Sequence, residues 1–317
     1  MSVREYVVGA AGDGPYGVVV AGGEVWTTLV HAGRVAARDG RVVELGAAES
    51  RPSVIVAGPD GAVWFTRNGD DRVGRIELPG SGSGGDEVPA GSAGASAVEV
   101  GASAVEVGAS AESPRVSAVE VVGAPYGLCV GPDGALWCTL MSGDAIGRIS
   151  VDGEVSTYPI GTAGAFPAMI TSFGGELWFT LNQANAIGRM TTAGSVTTYP
   201  LPTDSAGPVG ISAAPDAVWF TEILADRAGR ITADGTIQEF ALPAGSKPHA
   251  AAATSDGGCW LTLWSAAKLV HLDADGNLTR EYALGDGAEP HGLAIAPDGS
   301  VWVALEKGSL AHIQPDG

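Results

Sequence analysis

The chain reads as an all-β protein, a seven-bladed β-propeller with four antiparallel strands per blade, and three observations point there. First, Trp26, Trp64, Trp137, Trp178, Trp219, Trp260 and Trp302 are spaced 38, 73, 41, 41, 41 and 42 residues apart. A fixed period near 40 marks a repeat architecture, and only the second gap departs from it, being one repeat plus 32 residues. Second, each repeat breaks into four short apolar or alternating runs bounded by turn residues, the pattern of a propeller blade. Third, VREYVV at 3–8 resembles TREYAL at 279–284, a fourth strand, while the last repeat has only three strands before Gly317. The N-terminal strand is therefore expected to complete the last blade, which closes the ring and removes an open sheet edge. A large β-sandwich or a solenoid would not need a tryptophan every four strands.

Within the repeat around Trp219 the strands read VGISAA (209–214), AVWFTEI (217–223), AGRITA (228–233) and IQEFAL (237–242). Turns fall at Pro215-Asp216 and at Asp234-Gly235, in the second of which glycine supplies the positive φ of a tight hairpin. The repeat argues for one domain over 1–317. Residues 80–116 stand apart: GSGSGGDEVPAGSAG opens a run rich in Gly, Ser and Ala that carries two tandem GASAVEV copies. The segment is expected to be an insertion between the third and fourth strands of the second blade, with SAVEVV (117–122) as the fourth strand. It is also expected to be mobile, because register is weakly set in such bland sequence.

Lys and Arg number 17 against 36 Asp and Glu, a net charge of −19. Nucleic-acid binding through clustered basic residues is thereby excluded, and a neutral or cationic small molecule is the easier partner. No stretch approaches 18 uncharged apolar residues, and the opening MSVREYVVGAAGDG lacks the apolar run of a signal peptide. A cytoplasmic chain with no membrane partner is expected. Cys129, Cys138 and Cys259 are odd in number, lack metal-ligand spacing and sit inside strand patterns, so they read as buried thiols.

Equivalent positions of the blades form rings about the central channel, and two such rings are informative. The residue after the proline that opens each innermost strand is Tyr16, Ser53, Tyr126, Ala168, Val209, His249 or His291. Four residues after each tryptophan stand Val30, Asn68, Met141, Asn182, Ile223, Trp264 and Glu306. Antiparallel pairing puts the start of strand one beside the end of strand two, so both rings lie at one mouth of the channel. The residue before each proline is Gly14, Arg51, Ala124, Phe166, Gly207, Lys247 or Glu289. Polar chemistry is thus concentrated in the sixth and seventh blades, an asymmetry that folding does not require. His31, His271 and His312 have no such neighbours and receive no role.

Singly, a strand-end glutamate is ordinarily solvated and a histidine after proline is ordinarily a turn residue. Together, Glu289 and Glu306 at one mouth form a site suited to a hard divalent cation such as Mg²⁺, which favours oxygen ligands and keeps several waters. His291 beside them can accept a proton near neutral pH. Tyr16, Tyr126 and Trp264 supply flat apolar walls for a bulky ligand.

The motifs GPYG (14–17), PDGALW (132–137), IGRI (146–149), IGRM (187–190), GPVGI (207–211), KPHA (247–250) and EPHG (289–292) resemble the virginiamycin B lyases, or streptogramin B lyases. The likeness covers the chain apart from 80–116. GRVAAR in the first blade and SLAHI in the last depart from the IGRI-like pattern. The resemblance implies a seven-bladed propeller that opens cyclic streptogramin B depsipeptides by Mg²⁺-dependent elimination at the threonyl ester. It implies Glu289 and Glu306 as metal ligands, His291 as general acid or base, and His249 and Tyr16 as substrate contacts. On this expectation a monomeric carbon–oxygen lyase inactivates an antibiotic. Two rivals stand beside it: a lactone or ester hydrolase with a metal held by Asn or Asp in the channel centre, and a noncatalytic binding propeller. Asn68 and Asn182 are few for the first, and seven tryptophans disagree with the six blades it needs.

Overall fold

The computed structural model describes residues 3–78 and 114–315. The strands make seven four-stranded antiparallel sheets, as the tryptophan period predicts. Their innermost strands are Pro15–Ala21, Pro52–Ala57, Pro125–Val130, Pro167–Phe173, Pro208–Ala213, Pro248–Ala253 and Pro290–Ile295. Each packs against the next, and Pro290–Ile295 packs against Pro15–Ala21, so the ring is closed. The seam is completed as expected: Arg4–Val7 pairs antiparallel with Ser309–Ile313, with Arg4 opposite His312 and Val7 opposite Ser309.

The repeat motif has a physical cause. In the second and third blades the aspartate of the Pro-Asp-Gly turn accepts the indole N–H of the tryptophan: Trp64 to Asp60 at 3.0 Å and Trp137 to Asp133 at 2.8 Å. The arginine of the third strand lies opposite that tryptophan, donates to the same aspartate at 2.6 Å (Arg75) and 2.7 Å (Arg148), and covers the ring. Trp137, Trp178 and Trp219 are at most 1% exposed. Full burial of a tryptophan removes about 200 Å² of surface from water, a gross gain of about 5 kcal/mol. His271 and His312 take the arginine's place in the last two blades, with ring centroids 4.7 and 4.3 Å from Trp260 and Trp302.

The glycine before that arginine has no room for a side chain. A Cβ at Gly188 would sit 2.1 Å from the Phe179 ring, and one at Gly229 the same distance from Phe220. The apolar cores lie between blades; for example, Trp26, Val35 and Leu45 of the first blade pack with Ile55, Phe65 and Ile76 of the second.

Neighbouring blades are also stapled near the mouth. Two residues after the tryptophan, a threonine Oγ1 donates to the carbonyl of the residue that follows the next blade's opening proline. Thr28 thus meets Ser53 at 2.6 Å, Thr66 meets Tyr126 at 2.7 Å, Thr139 meets Ala168 at 2.5 Å and Thr180 meets Val209 at 2.8 Å. Thr221 meets His249 at 2.9 Å and Thr262 meets His291 at 2.8 Å. At the seventh seam the corresponding residue is Ala304, which has no hydroxyl to offer Tyr16.

In the second blade Arg72–Ile76 pairs with Val116–Glu120, so the intervening chain joins strands three and four there. Val116, assigned above to the insertion, is instead the first residue of the fourth strand, opposite Ile76, because its backbone extends the ladder by one pair. The strand accordingly spans Val116–Glu120 rather than 117–122. Residues 79–113, which hold nearly all of the insertion and the expected mobility, lie outside the described residues. GRVAAR and SLAHI still supply third strands, Arg34–Ala37 and Ser309–Ile313. Among the described residues the three cysteines are free, with Cys138 and Cys259 buried and Cys129 half-buried. No helix among them is long and apolar enough to cross a membrane.

Candidate functional site

The opening proline of every innermost strand pairs with the residue three after the tryptophan, as Pro290 does with Leu305 and Pro248 with Leu263. The residue before each proline is left-handed, from φ 43° at Glu289 to 67° at Gly14. For a non-glycine residue that conformation costs on the order of 1–3 kcal/mol and persists only where the surroundings enforce it. Outside the second blade its carbonyl accepts the N–H of the residue four after the tryptophan, at 3.0 Å for Lys247 and Trp264 and 3.4 Å for Glu289 and Glu306. Glu289 and Glu306 therefore leave the backbone from hydrogen-bonded neighbours.

His291 occupies the centre of the resulting cluster and is 9% exposed. Its Nε2 lies 2.6 Å from Glu306 Oε2. Its ring is wedged between Tyr16, centroid 4.4 Å away, and His249, centroid 4.9 Å away and edge-on. Nδ1 is buried with no hydrogen-bond partner among the described residues, so the ring's polar exchange runs through Nε2. Burial lowers the His291 pKa from its ordinary value, and the Glu306 carboxylate only partly offsets this, so the imidazole is neutral at pH 7.

Glu306 bridges two imidazoles. Its other oxygen, Oε1, is 3.1 Å from Nε2 of His31. Burial works to raise the Glu306 carboxyl, but the hydrogen bonds from His291 and His31 outweigh it and hold the group below the usual carboxylate range. His31 is the member of this cluster that reading the sequence missed. It reaches the site only because the first blade closes against the last, a contact between residues 275 apart. One signal was available: His31 is five residues after Trp26 and directly follows a ring position of the same mouth.

Tyr16 and Tyr126 are hydrogen-bonded hydroxyl to hydroxyl across the channel, and the Tyr16 hydroxyl also meets His249 Nε2 at 3.2 Å. The two tyrosines thus act as one unit rather than as separate walls. Burial, reinforced by Tyr126 and Glu306, raises the Tyr16 pKa well above its ordinary value, and burial raises that of Tyr126. Burial, with the neighbouring His291, pushes His249 down to about 3, so it is a neutral hydrogen-bonding group. These three side chains line one end of a channel cavity of about 300 Å³, whose walls include Val54, Leu128, Met169 and Leu293 and carry no carboxylate or carboxamide side chain.

Trp264 and Glu289 line a separate recess of about 150 Å³ at the mouth, with Ser265, Ala267 and Gly287. Lys247 Nζ lies 5.6 Å from the centre of the Trp264 ring. Glu289 is exposed, and its charge acts on His291. Of the seven residues singled out from the sequence, Tyr16, Tyr126, His249, His291 and Glu306 meet in one cluster, whereas Trp264 and Glu289 line the separate recess.

Among the described residues no three or more His, Cys, Asp or Glu side chains surround one point as metal ligands. The carboxylates at this mouth are Glu306, bonded to His291 and His31, and Glu289, which lines the Trp264 recess. Such a pair suits Mg²⁺, which binds through one or two carboxylates and retains water, and does not suit a metal that needs a closed protein cage. One carboxylate, Glu306, already accepts two imidazole hydrogen bonds, so it would share its oxygens between them and a cation.

The chain matches the model of the virginiamycin B lyase family over residues 1–104 and 102–313. A virginiamycin B lyase of Nocardia farcinica is 41% identical over 164 residues, 49% of this chain and 58% of that protein. One of Bordetella pertussis is 55% identical over 47 residues, 15% of this chain and 16% of its own length. The matched part of this chain therefore spans little more than half the length of the first of these relatives, and less of the second. In structure, the virginiamycin B lyase of Staphylococcus aureus superposes with a TM-score of 0.83 at 31% identity, covering 99% of each chain. A catalytically inactive histidine-to-alanine variant of that Staphylococcus aureus protein, crystallised with quinupristin, is similar to the same degree.

Proposed function

The chain belongs to the virginiamycin B lyase family, and from that premise we propose that it linearises cyclic depsipeptides of the streptogramin B class by elimination at the threonyl ester. The observation that carries the reading is the buried His291, bonded to Glu306 through Nε2 and packed between Tyr16 and His249 at the mouth of the channel.

The substrate ring lies over the mouth against Tyr16, Tyr126 and Trp264. His291 receives the threonyl Cα proton at Nε2 in the tautomer that carries its ring hydrogen on Nδ1, its bond to Glu306 released, and becomes an imidazolium. The electron pair left on Cα forms the Cα–Cβ double bond, the Cβ–O bond breaks, and the ester oxygen departs with its acyl group as a carboxylate. No water is consumed, and the product is a linear peptide ending in a dehydrated threonine. His249, neutral at any working pH, accepts or donates a hydrogen bond that orients the ester beside it. Glu289 and Glu306 would hold Mg²⁺, which when bound supplies Lewis-acid stabilisation of negative charge developing on the adjacent carbonyl. The rest of the catalytic work is the protein's own: positioning the ring, shielding the base and retaining the proton at Nε2.

Steady-state turnover of quinupristin tests this. Removing a positioned base costs about 10² to 10⁴ in rate. His291→Ala is expected to fall in that range or below detection with its thermal unfolding unchanged, and EDTA is expected to stop the wild type reversibly. Turnover by His291→Ala near the wild-type rate would end the proposal. A hydrolase with its metal in the channel centre is disfavoured by the cavity's lining, which has no acidic or amide side chain to bind one.

A further inference from the structure

We propose that His31 is a positioning residue of this site, fixing the Glu306 carboxylate from across the seam between the last blade and the first. The inference rests on the reading of Glu306 given above. Three features of the chain support it.

The first is the bond itself. Glu306 has two carboxylate oxygens and each is taken by a different imidazole, Oε2 by His291 at 2.6 Å and Oε1 by His31 at 3.1 Å. One hydrogen bond leaves a carboxylate free to rotate about it, whereas two from opposite sides set its plane. The second is the space that His31 occupies. A Cβ at Gly14 would sit 2.5 Å from His31 Cδ2 and 3.0 Å from Val30 Cγ1. The same pre-proline position carries Arg51, Ala124, Phe166, Lys247 and Glu289 in other blades, and Gly207 in the fifth, where the apolar Leu224 covers the gap. The first blade lacks a side chain there, and the imidazole lies over the vacancy.

The third is the seam. Six seams are held near the mouth by a threonine Oγ1 bonded to the next blade's backbone. The seventh has Ala304 in that place, and this is the seam on which Glu306, His291 and Tyr16 all depend. The His31–Glu306 bond crosses it at the mouth. The other six equivalents of His31, namely Gly69, Ser142, Gln183, Leu224, Ser265 and Lys307, face no glutamate at the second-ring position of the preceding blade. A histidine here therefore acts on Glu306 and has no counterpart elsewhere in the ring.

The test uses the full chain with His31→Ala and His31→Gln, whose side-chain amide N–H replaces Nε2–H at similar reach. Two quantities are read: calorimetric titration with Mg²⁺ alone, without substrate, and kcat and KM for quinupristin. Loss of a group that orients a metal ligand ordinarily costs about 10- to 100-fold in metal affinity or activity. His31→Ala is expected to weaken Mg²⁺ binding and lower kcat by factors in that range, with KM and thermal unfolding little changed, and His31→Gln to restore most of both. Gly14→Ala is expected to reproduce the loss by displacing the imidazole, and to add nothing to it when combined with His31→Ala. His31→Ala with wild-type Mg²⁺ affinity and kcat overturns the role of His31, as do equal losses in His31→Ala and His31→Gln. A wild-type chain that neither binds Mg²⁺ nor turns over quinupristin overturns the reading of the site, and His31's role with it.

Discussion

Glu222 is a carboxylic acid in a leucine's place, and replacing it should stabilise the protein in a pH-dependent way. The opening prolines pair with Leu29, Arg67, Leu140, Leu181, Glu222, Leu263 and Leu305. The five leucines are at most 1% exposed and fill cores between blades. Glu222 is 0% exposed, and neither carboxylate oxygen has a hydrogen-bond partner of regular geometry among the described residues. Burial, reinforced by the Glu239 carboxylate and opposed by Arg227, pushes its carboxyl up to about 8 from an ordinary 4.5. The folded state thus holds this proton more tightly than the unfolded chain does. Its contribution to stability is complete below about pH 4.5 and is lost as the pH rises through about 8, flat thereafter. The gap between the two values sets a ceiling of about 5 kcal/mol; solvent relaxation around a buried carboxylate reduces the realistic figure to about 2–4 kcal/mol. Glu222→Leu abolishes that loss and removes two unsatisfied acceptors. Guanidinium unfolding of both chains at pH 5 and pH 9 should show the variant gaining about 2–4 kcal/mol on the wild type between the two, at constant m. An advantage that does not grow with pH, or a variant less stable at pH 9, would refute the assignment of Glu222 as a buried neutral acid.

Two further outcomes follow from the geometry. Gly188→Ala places a Cβ 2.1 Å from the Phe179 ring, and overpacking of this kind costs about 1–3 kcal/mol, to be read as a lowered unfolding midpoint. Tyr126→Phe removes the hydroxyl that holds Tyr16 across the channel. The net worth of such a bond to the fold is about 1 kcal/mol, so the unfolding free energy should fall by about that much, and kcat/KM for the streptogramin substrate should fall as Tyr16 loses its hold.

Much of the fold was legible because each repeat carries its own instructions. Asp133, Trp137 and Arg148 meet within one blade, so their spacing alone encodes the clasp, and the period of Trp137, Trp178, Trp219 and Trp260 encodes the ring. The positions of Glu289, His291 and Glu306 were legible for the same reason, since all three belong to one blade whose hairpin brings them together. What escaped depends on contacts between blades. His31 looked featureless because its partner lies 275 residues away, across the closure. Tyr16 and Tyr126 were read as two surfaces because nothing local says that their hydroxyls meet. Glu222 sits in a strand-end run whose alternation does not reveal that five sibling blades use leucine there to fill a core. Val116 was misplaced because the low-complexity copies before it share its Val and Glu composition, and only pairing with Ile76 fixes where the ladder begins.

The central claim is that this mouth removes a proton and expels a carboxylate without water. High-resolution mass spectrometry of quinupristin after incubation with the full chain and Mg²⁺ tests it most directly. A linear product of unchanged mass bearing a dehydrated threonine is the predicted result; a product heavier by one water, or an intact ring after prolonged incubation, would contradict it.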